Sequence, residues 1–368
     1  MKFNKIKTFT LLLATISASM IAASAQENHE AIPGQNLPKP DGKPADMSKP
    51  VKVFIMMGQS NMFGMGHVTG NKGETLEQAV KTEKLYPFLV DDAGNWSERK
   101  DVRNVQVMVG RGGGMQVPHN EWLTVKGDKM GAEYGIGHQL GNTLTEPVML
   151  LKSCIGNRSL GWDLLPPATK GYDFKGKDKS GKEVTYTYAG YKESPMKWEK
   201  GTEPQKIEWY AGKQWDDDIA NAKKVLSELD KYFPGATKYE IAGFFWWQGE
   251  KDAGDEGHSA HYEENLVNLI KALRKEFNAP NAKFVLATLG EATKGMTDNT
   301  GKILEAHLAV DGKSGKYPEF KGNVATVYTN PMARGGSGNG HYGGSAKVYM
   351  DVGLAMGEAM VELLKTNK

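Results

Sequence analysis

Five short, near-continuous apolar runs constrain this chain more than any other feature: Val51–Met57, Val148–Lys152, Tyr239–Trp246, Lys283–Thr288 and Val324–Thr329. A strand with one wet face alternates apolar and polar residues, whereas a strand covered on both faces does not. Helical spacing fills the stretches between the runs. Asp216–Tyr232 opens with three Asp, which suit the positive end of a helix dipole. Ser259–Phe277 places Leu266, Leu269, Ile270 and Leu273 on one face, and Gly344–Leu364 does the same with Val348, Val352, Met356, Met360 and Leu363. Strands alternating with helices imply βαβ units. The expected fold is a three-layer α/β/α sandwich around a mainly parallel five-stranded sheet.

The chain ahead of Val51 has a different character. Lys2, Lys5 and Lys7 precede an apolar stretch from Thr8 to Ile21, and Ala23-Ser24-Ala25 supplies small residues for cleavage before Gln26. This three-part pattern reads as a secretory signal over residues 1–25. The apolar stretch is shorter than the roughly 20 residues a membrane span needs. Residues 26–50, with Pro33, Pro38, Pro40, Pro44 and Pro50, read as a Pro-rich extended tether. Residues 51–368 are then one domain, interrupted by an insertion at about 166–215 with a hairpin expected at Val184–Tyr188. Losing the leader removes three of 46 basic residues and none of the 44 acidic ones, so the net charge falls from +2 to −1. A balance that neutral argues against a nucleic-acid-binding role, and no second long apolar run calls for a membrane. The single Cys, Cys154, excludes an internal disulfide framework or a cysteine zinc site.

In an open parallel sheet, ligands bind beyond the carboxyl ends of the strands. The residues there are informative. Gly58-Gln59-Ser60-Asn61-Met62 follows the first run, Gly156-Asn157-Arg158-Ser159 and Trp162 the second, and Trp247-Gln248-Gly249-Glu250 the third. Gly290-Glu291 follows the fourth, and a glycine-rich loop ending in Gly340-His341-Tyr342 the fifth. A serine, backbone-exposing glycines, an amide, a carboxylate and a histidine on one edge are the parts of nucleophilic acyl transfer.

Each residue also has a plainer reading. Ser60 after a strand is the usual place for a helix cap, and Met62 stands where a G-x-S-x-G elbow needs its second glycine, which disfavours an ordinary α/β-hydrolase. Glu250 is one of several acids in its loop. His258 and His261 have a metal-ligand spacing but no accompanying third ligand. The glycines of Val109–Gly114 lack the Lys-Ser/Thr end of a phosphate loop.

Taken together, GQSNM, the glycine-centred loop, WWQGE and the late histidine resemble the SGNH-hydrolase superfamily. Within it they are most similar to the sialate O-acetylesterase-like branch, which includes acetylxylan esterases of carbohydrate esterase family six. The segments EYGIGHQL and HYGGSAKVYMDVGLAMGEAM add to the resemblance. It implies a flavodoxin-like sheet, with Ser60 as nucleophile and His341 as general base. It also implies an oxyanion hole from the backbone of Ser60 and Gly156 and the side chain of Gln248. Gly338 stands where the superfamily often has the acid that orients the histidine, and Glu250 matches the substitute proposed for this branch; Asp252, or a Ser–His dyad helped by a backbone carbonyl, are the alternatives. Gln59, Asn61, Asn157, Trp162 and Trp247 are the expected substrate contacts. Such chemistry requires no metal or organic cofactor. Preorganised donors at the developing oxyanion supply about 3–4 kcal/mol each.

Export and the resemblance together point to an acetylated carbohydrate as the partner, met in the periplasm or outside the cell. Aromatic residues near the mouth, including Trp162, Trp209 and Trp247, suit stacking against sugar rings. The rival readings are a non-catalytic glycan-binding protein on the same scaffold and a lipid or aryl esterase of the same superfamily.

Overall fold

In β1 (Val51–Gly58), successive side chains enter two different apolar layers, which is why the run is apolar without alternating. Phe54 and Met56 join one buried cluster, and Val51, Val53, Ile55 and Met57 the other. The computed structural model describes residues 36–71 and 73–366, so the leader expected at 1–25 lies outside the described residues. From β1 the chain passes through α1 (Ser60–Phe63), β2 (Arg99–Val109), β3 (Met115–Leu123), α2 (Glu133–Thr143) and β4 (Val148–Ser153). The insertion carries β5 (Tyr172–Lys177), β6 (Glu183–Tyr188) and β7 (Lys197–Glu199). Then come α3 (Lys213–Ser227), β8 (Tyr239–Trp247), α4 (Glu250–Ala253), α5 (Tyr262–Glu276), β9 (Lys283–Ala287), α6 (Asn299–Ala309), β10 (Val324–Val327) and α7 (Ala346–Lys365).

The central sheet has seven strands in the order β10-β9-β8-β1-β4-β2-β3. The five expected runs form its contiguous parallel part, β10 to β4. The expected strand number was too low because two strands lie in a stretch that reads as irregular. β2 pairs parallel with β4, and β3 closes the edge antiparallel to β2. Their charges hid them, and the structure shows where those charges go. Arg99 pairs with Asp101 at 2.6 Å, and Arg103 donates to the Tyr232 carbonyl at 3.0 Å while lying over Trp122. Pro118 is tolerated in β3 because an edge strand has one row of unpaired groups.

Helices cover both faces. α2 and α7 pack against one side of the sheet, and α3, α5 and α6 against the other. The approach of α2 to α7 needs glycine: a Cβ on Gly135 would lie 2.4 Å from the Leu354 nitrogen. Over its described part, residues 36–50 hold no helix or strand and are not free of the domain. Leu37 packs on the core, and Lys39 reaches Asp92 at 2.6 Å. The insertion is a three-stranded antiparallel sheet, β5-β6-β7, rather than a lone hairpin, and it ends where α3 begins at Lys213. Trp162, Leu165, Ala189 and Ala211 form a small apolar cluster at its base.

Candidate active site

The turn after β1 is built around Gly58, whose φ is +148°. A Cβ there would stand 2.2 Å from the Trp247 carbonyl oxygen, so only glycine allows β1 to end under β8. The chain then turns through extended Gln59 and starts α1 at Ser60, which sets the hydroxyl above the carboxyl edge of the sheet. The loop after neighbouring β4 brings Gly156 opposite: a Cβ on Gly156 would lie 3.4 Å from the Ser60 Cβ. Cys154, two residues earlier, is fully buried, and burial pushes its thiol well above the ordinary range.

His341 comes to the same point from the loop before α7. Its Nε2 lies 2.9 Å from Ser60 Oγ, across 281 residues of sequence. The loop crosses positive φ at His341 and Tyr342, and the His341 N–H donates to the Gly338 carbonyl at 3.0 Å. Partial burial, together with the positive charge of Lys129, lowers the imidazole pKa below its usual 6.5. His341 is therefore mostly neutral near pH 7, as a base must be to accept a proton from a serine hydroxyl.

Glu250 is close but turned elsewhere. Its Oε1 accepts from the Asn61 amide, and its Oε2 has no partner among the described residues. The same amide donates to the Gly338 carbonyl at 3.1 Å, and Tyr349 donates to Asn61 Oδ1 at 2.8 Å. Glu291 accepts from the Gly338 N–H at 2.8 Å. Gly338 is thus clamped through both its N–H and its carbonyl, and among the described residues Glu250 and His341 are linked by hydrogen bonds through Asn61 and that carbonyl. Burial, with the like charges of Glu291 and Asp252 nearby, raises the Glu250 pKa to about 7. Asp252 does not face His341 either. It accepts from the N–H groups of Leu160 and Gly161 at 2.8 and 2.7 Å, and burial raises its pKa to about 7.

Three expected site residues are buried and do not line the cleft. Gln248 is fully buried, and its Nε2 donates to Asp252 at 2.6 Å and to the Arg158 carbonyl at 2.9 Å, while Oε1 accepts from Tyr262 at 2.7 Å. Both amide hydrogens are committed, so it offers nothing to an oxyanion. Trp247 is also fully buried, stacked on Tyr342 with centroids 5.9 Å apart. Asn61 is buried in the Gly338 clamp. By contrast, Gln59, Asn157 and Trp162 line the cleft beside Ser60 and His341. Asn157 has φ +59°, and its side-chain amide has no partner among the described residues.

The sequence reading missed a buried pair beneath α1. Lys152 closes an apolar run and reads as a strand end, yet it is 1% exposed. Its Nζ donates to Glu133 Oε2 at 2.6 Å and to the Phe63 carbonyl at 3.0 Å, tying down the turn that carries Ser60. The one available signal was Glu133 opening the EYGIGHQL segment. His258 and His261 pack on Tyr188 and Tyr172.

Part of the chain matches a known family. Residues 193–361 match the family model described as carbohydrate esterase, sialic acid-specific acetylesterase. That span holds Gln248, Glu250 and His341 but not Ser60. No curated protein matches the chain. Among solved structures, a protein of Arabidopsis thaliana aligns with a TM-score of 0.44 at 16% identity, over 85% of this chain and 98% of that one. A carbohydrate acetylesterase of Xanthomonas citri aligns with a TM-score of 0.44 at 13% identity, over 84% of this chain and 56% of its own. NanS aligns with a TM-score of 0.43 at 12% identity, over 86% and 99%. At such distances these likenesses bear on neither activity nor substrate.

Proposed function

From its likeness over residues 193–361 to the sialic acid-specific carbohydrate esterases, we propose that this chain is a carbohydrate O-acetylesterase working through a serine acyl-enzyme. The observation that carries the reading is the 2.9 Å contact between His341 Nε2 and Ser60 Oγ at a sheet edge faced by Gly156. Ser60 Oγ attacks the acetyl carbonyl as His341 takes its proton. The oxyanion forms against the N–H groups of Ser60 and Gly156. His341 then returns the proton to the departing sugar oxygen. Water, activated by the same imidazole, hydrolyses the acyl-enzyme to acetate.

Two residues have different parts from those first expected, and a third keeps its part. Gln248, whose amide hydrogens are already engaged, supports the loop that carries Gly156 instead of meeting the oxyanion. Asn157, with its free amide in the cleft, is the side chain placed to meet the acylated sugar. Glu250 acts on His341 indirectly, through Asn61 and the Gly338 peptide, so the catalytic unit is a Ser–His pair rather than a hydrogen-bonded triad.

We also read residues 1–25 as an export leader and residues 51–368 as one esterase domain with an insertion, acting in the periplasm or outside the cell. Amino-terminal sequencing of the mature protein tests this, with Gln26 as the expected first residue. The activity is tested by acetate release from a panel of acetylated sugars. Ser60→Ala and His341→Ala are expected to lose at least about a thousandfold in kcat, the scale on which removing one member of such a unit acts. Full activity in Ser60→Ala would overturn the mechanism, and an inactive wild-type protein would overturn the function.

A further inference from the structure

Ser60 divides its cleft into two sides of different chemistry. The strand order places β8 and β9 on one side of β1, and β4 and β2 on the other. His341 belongs to the first side. Its loop is held at Gly338 by Glu250, which follows β8 and acts through Asn61, and by Glu291, which follows β9. The cleft wall there is polar, with Glu250 and Lys251 in it. On the second side the wall is Phe63, Ile155 and Met108, from α1, the loop after β4 and the end of β2.

Register brings those three side chains together. Phe63 follows Ser60 by three residues in α1, so the two share a helix face. Ile155 immediately precedes Gly156, which meets Ser60. β2 and β4 pair in parallel with Gln106 opposite Lys152 and Val107 opposite Ser153, so Met108 ends level with the turn that carries Ile155. Lys152 lies on the sheet face that bears Phe63, since its Nζ donates to the Phe63 carbonyl at 3.0 Å. Side chains alternate along a strand. Met108, two residues beyond Gln106, therefore projects from that same face.

The surface they make is apolar and open. Phe63, Ile155 and Met108 are each only half-buried, whereas the apolar side chains of β1 beneath them are fully covered. The cation below, Lys152, is 1% exposed and paired with Glu133, so no charge reaches the surface from it. Catalysis decides what rests there. The leaving oxygen of an ester must lie within reach of His341, which returns its proton. The alcohol part then occupies the His341 side, and the acyl chain points across Ser60 toward Phe63, Ile155 and Met108. An acetyl group sets a single methyl against that wall, and the unbranched thioether of Met108 can adapt to more.

We propose that Phe63, Ile155 and Met108 form an acyl pocket that takes chains longer than acetyl, so that the protein also cleaves propionyl and butyryl esters. This rests on the esterase reading. The ester's acyl–oxygen bond breaks as Ser60 Oγ takes the acyl group, the alcohol leaves with the proton from His341, and water releases propionate or butyrate. Covering one CH₂ is worth about fourfold, so the two that butyryl adds are worth up to about fifteenfold when both are covered.

The test is kcat/KM of the full chain for p-nitrophenyl acetate, propionate and butyrate, which share one leaving group. Butyrate is expected to exceed acetate about threefold or more, and Ser60→Ala should lose all three. Met108→Trp, which fills the pocket, should lower the butyrate-to-acetate ratio at least tenfold. Met108→Ala, which enlarges it, should raise p-nitrophenyl hexanoate over butyrate several-fold, and it carries the test should the Trp variant fail to fold. Acetate cleaved as fast as butyrate, or ratios unchanged in the Met108 variants, would overturn the pocket and leave the esterase reading standing. A wild-type protein that cleaves none of these esters and frees no acetate from acetylated sugars would overturn both.

Discussion

A side chain on Gly338 would set its Cβ 2.3 Å from Oε1 of Glu250. Position 338 is three residues before His341, so the carboxylate of Glu250 already fills the space an acid at 338 would enter. Gly338→Asp is therefore expected to displace the loop rather than complete a triad, lowering the melting temperature and cutting kcat on an aryl acetate at least tenfold. Pairing it with Glu250→Gly opens that space and should recover part of both losses. Wild-type activity in the single variant would show that the clamp is not tight.

Titration of His341 supplies a pH prediction. Its pKa is depressed by burial and by Lys129, and the base must be neutral to act. The acid limb of kcat/KM should therefore have its midpoint below 6.5, with activity retained into mildly acid solution. A midpoint above 7 would mean that another group limits the rate.

Stability should run the other way with pH. Glu250 and Asp252 have folded-state values near 7 against ordinary values of 4.5 and 3.8, so the folded protein binds their protons more tightly than the unfolded chain does. The resulting stabilisation is complete below about pH 4 and is lost as pH rises through 7. Between those limits each carboxyl contributes a slope of at most about 1.4 kcal/mol per pH unit. Melting temperature between pH 5 and 8 should fall less steeply in Glu250→Gln than in the wild type. Parallel curves would place the slope elsewhere.

Lys152 can be separated from its electrostatic role. Lys152→Met leaves the Glu133 carboxylate buried and unpaired, a loss of about 3–5 kcal/mol by the usual cost of breaking such a pair. Adding Glu133→Gln should restore much of the melting temperature. It cannot restore the donor to the Phe63 carbonyl, so kcat should stay several-fold below wild type. Equal recovery of both would reduce Lys152 to a charge partner.

How much of this was readable beforehand depended on whether local pattern decided the outcome. The five runs β1, β4, β8, β9 and β10 are apolar because both faces are covered, and periodicity reports that directly. β2 was not readable, since the guanidinium groups of Arg99 and Arg103 find hydrogen-bond acceptors as remote as Asn142 and the Tyr232 carbonyl. At the site, Ser60 and His341 were legible because their surroundings are short motifs. Gln248, Asn61 and Trp247 were expected at the cleft and lie buried beside it for one common reason. A motif names a residue near an edge, but the pleat and the covering helices decide whether its side chain faces cleft or core. Trp246 and Trp247 point to opposite layers, and both layers are dry.

The two ends of the insertion meet. Gly212 N–H donates to the Trp162 carbonyl at 2.7 Å, and Gln214 N–H to the Asp163 carbonyl at 2.9 Å. Chain leaves the sheet and rejoins it at one stitched point, so the intervening residues behave as an exchangeable cassette. Replacing the cassette would reshape the part of the cleft lined by Met196 while Ser60 and His341, held by the sheet, kept their spacing. For protein engineering, this makes the stretch between Asp163 and Gly212 the natural graft site for reshaping the cleft without moving Ser60 and His341.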